Sequence, residues 1–334
     1  MTENKKLKIV LLFGGTSPER AVSKSTASSI YTALQSMDYD VVLVDPAYGA
    51  NQPESIEEFF SEKDYAPLSN RNYVEAINSK LFDEAGLVFL AIHGKYGEDG
   101  TIQSLLELRG KKYTGSKVLS SAISMDKMMS KILFQHYNIL TPKWIIAEKN
   151  NTGDDAIAEL IKNNIGFPCV IKPNDQGSTV GLTVCENKEQ VIPAIKLALE
   201  FSSKALIEEF IPGRELTVAI LESKALPVLE IKPKHGLYDY ECKYTSGMSE
   251  YIVPADIPKE TSDELKKQAL LAFNALGCEV YARLDFRLSP DNKAYLLEIN
   301  TLPGMTSTSL VPKMAKAVGL SFEDLIERII RLSL

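Results

Sequence analysis

The apolar run from Leu7 to Phe13 does most to constrain the fold of this chain. It is continuous rather than alternating, as expected of a strand that is buried on both faces in a parallel sheet. Two glycines end the run, and the stretch from about Pro18 to Met37 is compatible with a helix. Further apolar runs follow at Val41–Val44 and Gly86–Ile92. Strands that alternate with helices predict an N-terminal parallel sheet with helical crossovers.

The composition is that of an ordinary globular protein. Hydrophobic residues make up 45% of the chain and charged residues 24%, and a chain of this length can form two or three domains. The formal net charge is −7, with acidic and basic residues interspersed. Proteins that bind nucleic acids rely on a basic surface, so the charge argues against a nucleic-acid partner.

Targeting signals and metal-binding cysteine patterns are missing from the sequence. The N-terminal apolar run is too short for a secretory signal, and no window approaches the length of a membrane span. The four cysteines form no CxxC pair, and neither they nor the three histidines have zinc-site spacing. We therefore expect a cytoplasmic protein without a membrane partner.

The rest of the chain mixes helices with short strands and hairpins. The helical stretches are Met125–His136 and Asp154–Asn163. The strands are Cys169–Lys172, Leu182–Cys185 and Ala205–Ile207, followed by a hairpin of Glu215–Leu221 with Leu226–Ile231 and a hairpin of Tyr281–Leu288 with Lys293–Asn300. This pattern predicts α+β domains after the first, parallel sheet.

Polar side chains alternate with apolar ones in the last hairpin. Arg283 and Asp285 share one face of the first strand, and Glu298 and Asn300 share one face of the second. A four-residue connection over 289–292 predicts that Arg283 lies opposite Glu298, with Asp285 one diagonal step away. Two carboxylates and an amide oxygen would then converge, and such hard oxygen ligands suit Mg²⁺. A solvated polar face with an Arg–Glu pair across the strands explains the hairpin equally well.

The loop from Lys172 to Gly181 contains features of a phosphate-binding loop. Gly177 allows backbone N–H groups to approach phosphate oxygens, and Ser178 and Thr179 add hydroxyl donors. The sequence contains no GxGxxG fingerprint and no Walker sequence. An ordinary turn is the simpler explanation unless this loop faces the carboxylates of the last hairpin.

The order of the motifs resembles one known family along nearly the whole chain. The chain is similar to the D-alanine–D-alanine ligases, which belong to the ATP-grasp superfamily. The similarity lies in GGTSPER, HGKYGEDGT, SMDK, VIKPNDQGSTVG, LIEEFIPGRELTVAI, YDYECKY, RLD and LLEINTLPGMTSTSL. One departure is Ala21, where the family usually has an acidic residue; it affects the electrostatics of a helix start more than catalysis.

The resemblance implies an α/β and α+β architecture with the ATP-grasp fold. A Rossmann-like domain would cover residues 1–115, and two α+β domains, 116–208 and 209–334, would clamp ATP between them. The implied activity is the ATP-dependent joining of two D-alanine molecules for peptidoglycan precursor synthesis. The family also implies a homodimer.

The resemblance implies roles for residues on the nucleotide side. Lys127 and Lys172 would bind phosphates, and Glu215 would bind the ribose. The adenine would be lined by Glu208, Glu209, Phe210 and Ile211. Two Mg²⁺ or Mn²⁺ ions would be held by Asp285, Glu298 and Asn300.

The resemblance also implies roles on the amino-acid side. Glu19 would bind the first ammonium group, with His93 close to the same pocket. Arg283 and the N–H of Gly304 would stabilise the oxyanion of the tetrahedral intermediate. The second carboxylate would be bound by Ser309 and Lys243, with Leu310 beside them. A hydrogen-bonded chain of Glu19, Ser178 and Tyr244 would close a loop over the substrates.

Three alternatives differ in class. The first is another ATP-grasp ligase, with D-lactate or D-serine as the second substrate, although Tyr244 favours the dipeptide. The second is a nicotinamide-dependent oxidoreductase, which the missing fingerprint opposes. The third is a non-catalytic nucleotide sensor, which would not need the metal ligands and the two N-terminal motifs together.

Overall fold

The computed structural model of the chain describes residues 6–148, 154–234 and 247–334, and its strands form three sheets. The strands are β1 Lys8–Leu12, β2 Asp40–Val44, β3 Leu87–Leu90, β4 Trp144–Glu148, β5 Cys169–Pro173, β6 Thr183–Cys185, β7 Lys204–Glu209, β8 Arg214–Leu221, β9 Lys224–Ala225, β10 Leu229–Pro233, β11 Ser249–Ile252, β12 Tyr281–Leu288 and β13 Ala294–Asn300. The α-helices are α1 Arg20–Ser36, α2 Ile56–Phe60, α3 Asn72–Asn78, α4 Thr101–Leu108, α5 Val118–Met125, α6 Lys127–His136, α7 Asp154–Asn164, α8 Val191–Phe201, α9 Lys259–Ala275, α10 Leu310–Lys316 and α11 Phe322–Ser333. Short 3₁₀ helices lie at Pro46–Tyr48, Lys80–Phe82 and Lys188–Gln190.

The first sheet is parallel, as predicted, with the strand order β2-β1-β3. Its central strand is buried from Ile9 to Phe13, which is why this segment is apolar without alternation. Helix α1 begins at Arg20 rather than near Pro18. Pro18 therefore precedes the helix instead of lying in its first turn, because a turn closed by Arg20 N–H donating to Ser17 O comes first.

The core of the first sheet is completed by α11, from the far end of the sequence. Ser321 caps this helix, and Asp324 returns the contact in a capping box. The helix buries Leu325, Ile326 and Ile329 in the same core as the strands of the first sheet. Burying a large aliphatic side chain contributes about 1.5–3 kcal/mol, so α11 stabilises the N-terminal sheet substantially.

The second sheet is antiparallel with the strand order β4-β7-β5-β6. It is reached through α5 and α6. The helix predicted over Met125–His136 corresponds to α6, whereas α5, which ends at Met125, was not predicted. Asp126 separates the two helices: it is extended and caps α6 by accepting a hydrogen bond from Met129 N–H at 2.9 Å. Capping by aspartate is strongly favoured, so this residue starts a new helix rather than continuing the old one.

The third sheet has the order β11-β10-β8-β12-β13, with β9 added beside β8. Both predicted hairpins are present: β8 pairs with β10, and β12 pairs with β13. Helix α9 covers one face of this sheet and buries Leu265, Ala269 and Phe273 against it. The opposite face presents the polar residues of β12 and β13.

The predicted register of the last hairpin is wrong. Arg283 pairs with Asn300, and Asp285 pairs with Glu298. The turn is one residue longer than predicted, since Leu288 pairs with Ala294, and a β-bulge after Asp285 adds a second residue to the shift. A shift of two residues preserves the faces of the strands, so the polar residues still lie together. The two carboxylates are consequently direct cross-strand neighbours.

Across residues 6–148, 154–234 and 247–334, the structure contains no helix that is both long and apolar enough to cross a membrane.

Candidate active site

Two adjoining cavities lie among the three sheets. The intersheet cavity, of about 550 Å³, lies between the second and third sheets and is lined by Lys172, Glu208, Glu209, Phe210, Ile211, Glu215 and Asp285, among others. The polar cavity, of about 460 Å³, lies between α1 and the end of β13 and is lined by Glu19, His93, Arg283, Asn300, Gly304, Ser309 and Leu310, among others. Both cavities are lined by Lys127, Gln176, Gly177, Ser178 and Glu298, so these five residues mark where they meet.

The intersheet cavity is a slot with apolar walls. Val170 and Val184 contribute from the second sheet, and Leu216, Ile231 and Leu297 from the third. Leu297 is present here because the β-bulge makes it an extra residue on β13. Apolar walls with a few polar groups at the rim suit a flat aromatic ligand.

A buried group of charges lies beside this cavity, and two of its members, Lys172 and Glu208, line it. Glu208 lies between Lys172, whose Nζ donates to Oε1 at 2.6 Å, and Lys131, whose Nζ is 3.0 Å from Oε2. Burial opposes ionisation of Glu208, but the two ammonium groups hold the pKa of this carboxyl below its usual value. Burial likewise lowers the pKa of Lys172, but Glu208 outweighs this and leaves it raised. Lys172 therefore carries a positive charge into the cavity.

The loop after β5 is held against the start of α6. Lys127 N–H donates to Asn174 O at 3.1 Å, and Lys127 Nζ donates to Gln176 O at 2.7 Å. Ser178 and Thr179 both adopt positive φ, +51° and +59°. Two successive non-glycine residues in this region cost roughly 1–3 kcal/mol each, and such strain is typical of functional loops.

This loop faces the carboxylates of the last hairpin. Lys127 Nζ lies 3.2 Å from Glu298 Oε2 while also contacting the loop. The loop therefore lies beside the carboxylates, which is the arrangement that a phosphate-binding role requires. Concave backbone N–H groups beside lysines are suited to phosphate oxygens.

Of the two cross-strand carboxylates, Glu298 lines both cavities and Asp285 lines the intersheet cavity. Asp285 accepts hydrogen bonds from Arg283 Nε at 2.9 Å and Nη2 at 2.8 Å, from Asn300 Nδ2 at 3.0 Å and from Thr217 Oγ1 at 2.8 Å. Directly opposed like charges are destabilising unless cations offset them. Here Arg283 and Lys127 provide that offset, and a divalent cation would do so more strongly.

The donor set fits a hard divalent cation. Asp285, Glu298 and Asn300 supply oxygen atoms only, which Mg²⁺ prefers. Within the described ranges, no three His, Cys, Asp or Glu side chains are grouped as metal ligands. An ion here would consequently complete its coordination with water and substrate phosphates, as Mg²⁺ commonly does.

Glu19 connects the start of α1 to the loop after β5. It occupies the cap position of α1 but makes no capping hydrogen bond, because its carboxylate accepts a hydrogen bond from Ser178 Oγ instead. A Cβ atom at Gly94 or at Gly177 would lie only 2.8 or 2.9 Å from Glu19 Oε2. Glycine at these two positions therefore allows the close approach of the loops around this carboxylate.

His93 is buried and Glu98 is half-buried in the polar cavity that Glu19 also lines. His93 Nε2 is 3.0 Å from Thr26 Oγ1, and burial lowers the pKa of His93 below its usual value. Glu98 accepts a hydrogen bond from Gly94 N–H at 2.7 Å. Burial raises the pKa of Glu98 to about 8, with a further contribution from the charge of Glu19. The polar cavity thus holds a neutral imidazole and a carboxyl group that titrates near neutral pH.

Ser309 and Gly304 form the far wall of the polar cavity. Ser309 Oγ accepts a hydrogen bond from Thr306 N–H at 3.0 Å and lies 2.7 Å from Thr306 Oγ1. A Cβ atom at Gly304 would be 3.2 Å from Ser309 Oγ, which shows how closely the two segments approach. Leu310 follows as the first residue of α10.

The structure brings together the predicted site residues that it describes. Lys243 and Tyr244 lie outside the described residues. Sequence reasoning did not single out Lys131 or Glu98. Lys131 follows Lys127 by one helical turn, and Glu98 lies within the HGKYGEDGT motif. Their closeness to predicted site residues could have identified both.

Comparisons with known proteins agree with this arrangement. Residues 8–116 match the family described as D-ala D-ala ligase N-terminus, and residues 133–331 match the family described as D-ala D-ala ligase C-terminus. The chain is 39% identical to the D-alanine–D-alanine ligase of Pelotomaculum thermopropionicum over 98% of this chain and 97% of that protein. It is 40% identical to the D-alanine–D-alanine ligase of Halalkalibacterium halodurans over 98% of this chain and 99% of that protein.

Solved structures show the same fold. The crystal structure of D-alanine–D-alanine ligase from Bacillus anthracis complexed with ATP superposes with a TM-score of 0.77 at 32% identity, over 98% of this chain and 97% of that one. The VanG D-Ala:D-Ser ligase from Enterococcus faecalis superposes with a TM-score of 0.82 at 30% identity, over 99% of this chain and 100% of that one. This chain therefore belongs to the D-alanine–D-alanine ligase family and has the ATP-grasp fold.

Proposed function

We propose that this enzyme joins two D-alanine molecules to D-alanyl-D-alanine at the expense of ATP, through a D-alanyl phosphate, for peptidoglycan precursor synthesis. The observation that carries the proposal is the junction of the two cavities at Lys127, Ser178 and Glu298. A phosphoryl donor in the intersheet cavity and a carboxylate acceptor in the polar cavity would meet there. Placing both reactants at one junction supplies much of the catalysis of such a reaction.

The nucleotide would occupy the intersheet cavity. Its adenine fits the apolar slot beside Glu208–Ile211, and its ribose would lie near Glu215. Lys127, Lys172 and the strained loop at Ser178 would bind the phosphates. The charge of Lys172, maintained by Glu208, is suited to that task.

Two Mg²⁺ or Mn²⁺ ions would be held by Asp285, Glu298 and Asn300. When bound, such ions neutralise charge on the transferring phosphoryl group. Lys127 contacts both Glu298 and the phosphate loop, so it would keep these ligands aligned with the nucleotide.

The first step would be attack by the carboxylate of the first D-alanine on the γ-phosphorus of ATP. A P–O bond forms, the P–O bond to ADP breaks, and an acyl phosphate results. Glu19 would bind the ammonium group of this D-alanine, and His93, neutral because of its burial, would lie beside it without adding a charge.

In the second step, the ammonium group of the second D-alanine would release one proton to solvent, and the resulting amine would attack the acyl carbonyl to form the C–N bond. The C–O bond to phosphate then breaks, and inorganic phosphate leaves as the nitrogen gives up a second proton to solvent. Arg283 and the N–H of Gly304 would donate to the oxyanion. Ser309 and Lys243 would bind the second carboxylate beside Leu310.

Closure over the substrates would protect the acyl phosphate from water. The hydrogen bond from Ser178 to Glu19 joins the loop after β5 to the start of α1. Tyr244, outside the described residues, would be the third member of this chain. The domain boundaries at 115 and 208, a homodimer and a cytoplasmic location remain predictions of the sequence.

The decisive experiment is an assay of phosphate release from ATP with and without D-alanine. We expect release to depend on D-alanine, and ¹⁸O from the D-alanine carboxylate to appear in the released phosphate. Release without D-alanine, or phosphate lacking the label, would contradict the proposal.

A different second substrate is the alternative function, because a D-Ala:D-Ser ligase is among the structures that superpose well. Competition among D-alanine, D-serine and D-lactate, with the products identified by mass spectrometry, separates these cases. We expect the D-alanine dipeptide to dominate at neutral pH.

A further inference from the structure

Lys131 is a buried lysine to which the proposed reaction assigns no role. It lies on α6, four residues after Lys127, so the two side chains share one face of the helix. Its relative exposure is 0%, whereas charged lysines are almost never fully buried unless they are paired. A fully buried ammonium group is costly without strong partners, so this position calls for an explanation.

The contacts of Lys131 join three separate parts of the structure. Its Nζ lies 3.0 Å from Glu208 Oε2 and donates to Thr141 Oγ1 at 2.6 Å. Thr141 Oγ1 in turn donates to Leu296 O at 2.8 Å. Because the hydroxyl proton of Thr141 is used on Leu296, its oxygen accepts from the lysine. The network thus connects α6, β7 and β13.

Glu208 is shared between two ammonium groups. Lys172 donates to Oε1 at 2.6 Å, while Lys131 faces Oε2. With both lysines ionised, the group keeps one positive charge beside the intersheet cavity. Burial lowers the pKa of Lys131, and the nearby Glu208 carboxylate opposes that shift.

Removal of Lys131 would change the charge balance among Lys131, Glu208 and Lys172. Glu208 would then neutralise Lys172 alone, and its carboxylate would be free to rotate toward that single partner. Lys172 lines the cavity and Lys131 does not, so the effect of Lys131 on a ligand must pass through Glu208 and Lys172.

We propose that Lys131 is a positioning residue for the nucleotide: it occupies one oxygen of Glu208, so that Lys172 remains oriented toward the phosphates and the group of three keeps a net positive charge. This inference rests on the proposed use of ATP. It concerns binding rather than chemistry, and it assigns the residue no contact with substrate.

The test is the Lys131→Met variant, which keeps the length of the side chain and removes its charge. ATP binding can be followed through the fluorescence of Trp144, the single tryptophan, which pairs with Glu208 across β4 and β7. Isothermal titration calorimetry provides an independent measurement. We expect the Kd for ATP to rise by roughly 10-fold to 100-fold, the factor that corresponds to losing a hydrogen bond to a charged group.

Two readouts separate this role from a general loss of structure. The KM for D-alanine should stay within about twofold of the wild-type value, and the Kd for adenosine, which lacks phosphates, should change far less than that for ATP. Equal loss of ATP and adenosine would overturn the proposal, because Lys131 would then support only the shape of the slot.

Lys24→Met is the matched control. Lys24 is also a buried lysine, but its Nζ donates to Ser61 O at 2.7 Å in the N-terminal domain, and it lines neither cavity. We expect this variant to bind ATP normally even if its Tm falls. If Lys131→Met does not fold, Thr141→Val keeps the lysine but removes its hydroxyl partner, and we expect ATP affinity to fall severalfold with adenosine affinity retained.

Failure of this inference is distinguishable from failure of the proposed function. Wild-type protein that binds no ATP would contradict the function. Wild-type protein that binds ATP, together with a folded Lys131→Met or Thr141→Val variant of equal ATP affinity, would contradict the role of Lys131 alone.

Discussion

The intersheet cavity and the polar cavity share a boundary but are assembled differently. The intersheet cavity is formed by strands of two antiparallel sheets, and its ion pair between Lys172 and Glu208 spans 36 positions of sequence. The polar cavity is formed mostly by loops and helix ends from all parts of the chain. Its contact between Ser178 and Glu19 spans 159 positions.

Because of this difference, the proposed binding of ATP and the proposed binding of D-alanine depend on the fold in different ways. A cavity made by paired strands has its geometry determined by the hydrogen bonds of the sheets. A cavity made by loops depends on the relative placement of separate units. We therefore expect substitutions in the polar cavity to affect D-alanine selectively, and substitutions at the junction to affect the whole reaction.

The largest effect should follow from Glu298→Gln at the junction. The substitution keeps the volume of the side chain and removes the charge of a proposed metal ligand. Such ions supply several kcal/mol of transition-state stabilisation, so kcat should fall by about 10³-fold or more. Steady-state phosphate release at saturating Mg²⁺ measures this, with circular dichroism to verify folding. Normal turnover by a folded variant would remove Glu298 from the metal site.

Glu19→Gln should weaken the binding of D-alanine without weakening that of ATP. The variant loses a charged partner for the ammonium of the first D-alanine, and hydrogen bonds to charged groups contribute about 1.5–3 kcal/mol. We expect the KM for the first D-alanine to rise by roughly 10-fold to 100-fold, since each 1.4 kcal/mol is a factor of ten. The Kd for ATP, measured by calorimetry, should remain unchanged. A parallel loss of ATP affinity would show that the cavities are not independent.

A smaller effect is expected from Tyr244→Phe, a prediction that rests on the sequence because Tyr244 lies outside the described residues. The loss of one hydrogen bond contributes about 0.5–1.5 kcal/mol. We expect weaker dipeptide synthesis and, at mildly acidic pH, a shift toward the D-lactate product. The ratio of the two products in competition, across a pH series, measures it. Identical ratios for wild type and variant would exclude Tyr244 from the choice of second substrate.

Glu98→Gln should change stability rather than activity, and the change should depend on pH. Because the folded protein raises the pKa of Glu98 from 4.5 to about 8, the protonated form is favoured in the folded state. The associated stability is fully present below pH 4.5 and is lost as the pH rises to about 8. Glutamine resembles the protonated form, so the variant should gain in Tm relative to wild type over this range.

Thermal unfolding at pH 5 and pH 8 tests this prediction. The lowered pKa of His93 acts in the opposite direction, but both proteins contain this residue, so the difference between the two curves reports Glu98. Parallel curves would show that Glu98 ionises normally.

The sequence predicted the elements better than the contacts between them. The continuous apolar segment around Ile9 and the alternation around Asp285 reflect local burial, which periodicity reports directly. The register of the last hairpin was wrong because a β-bulge and a longer turn leave no clear pattern in the sequence. The polar residues of β12 and β13 still share one face of the sheet because the register shifted by two residues in total.

In the candidate site, too, the sequence predicted the residues better than the contacts between them. Motifs predicted which residues line the cavities, but the burial of Lys131 and the raised pKa of Glu98 depend on neighbours from other segments. Lys131 appears in the sequence as an ordinary helix lysine. Its partner Glu208 is far away along the chain, and only the packed structure brings the two together.

The packing of α11 against the first sheet has a consequence for how the protein is made. Ile9 belongs to the same core as Ile326 and Ile329, so this core includes residues from near both ends of the sequence. During synthesis, N-terminal segments emerge from the ribosome first, yet the first sheet cannot bury its full apolar surface until α11 has also emerged. The first sheet of the nascent chain therefore keeps part of its apolar surface exposed until α11 has emerged, and exposed apolar surface of this kind is what chaperones cover.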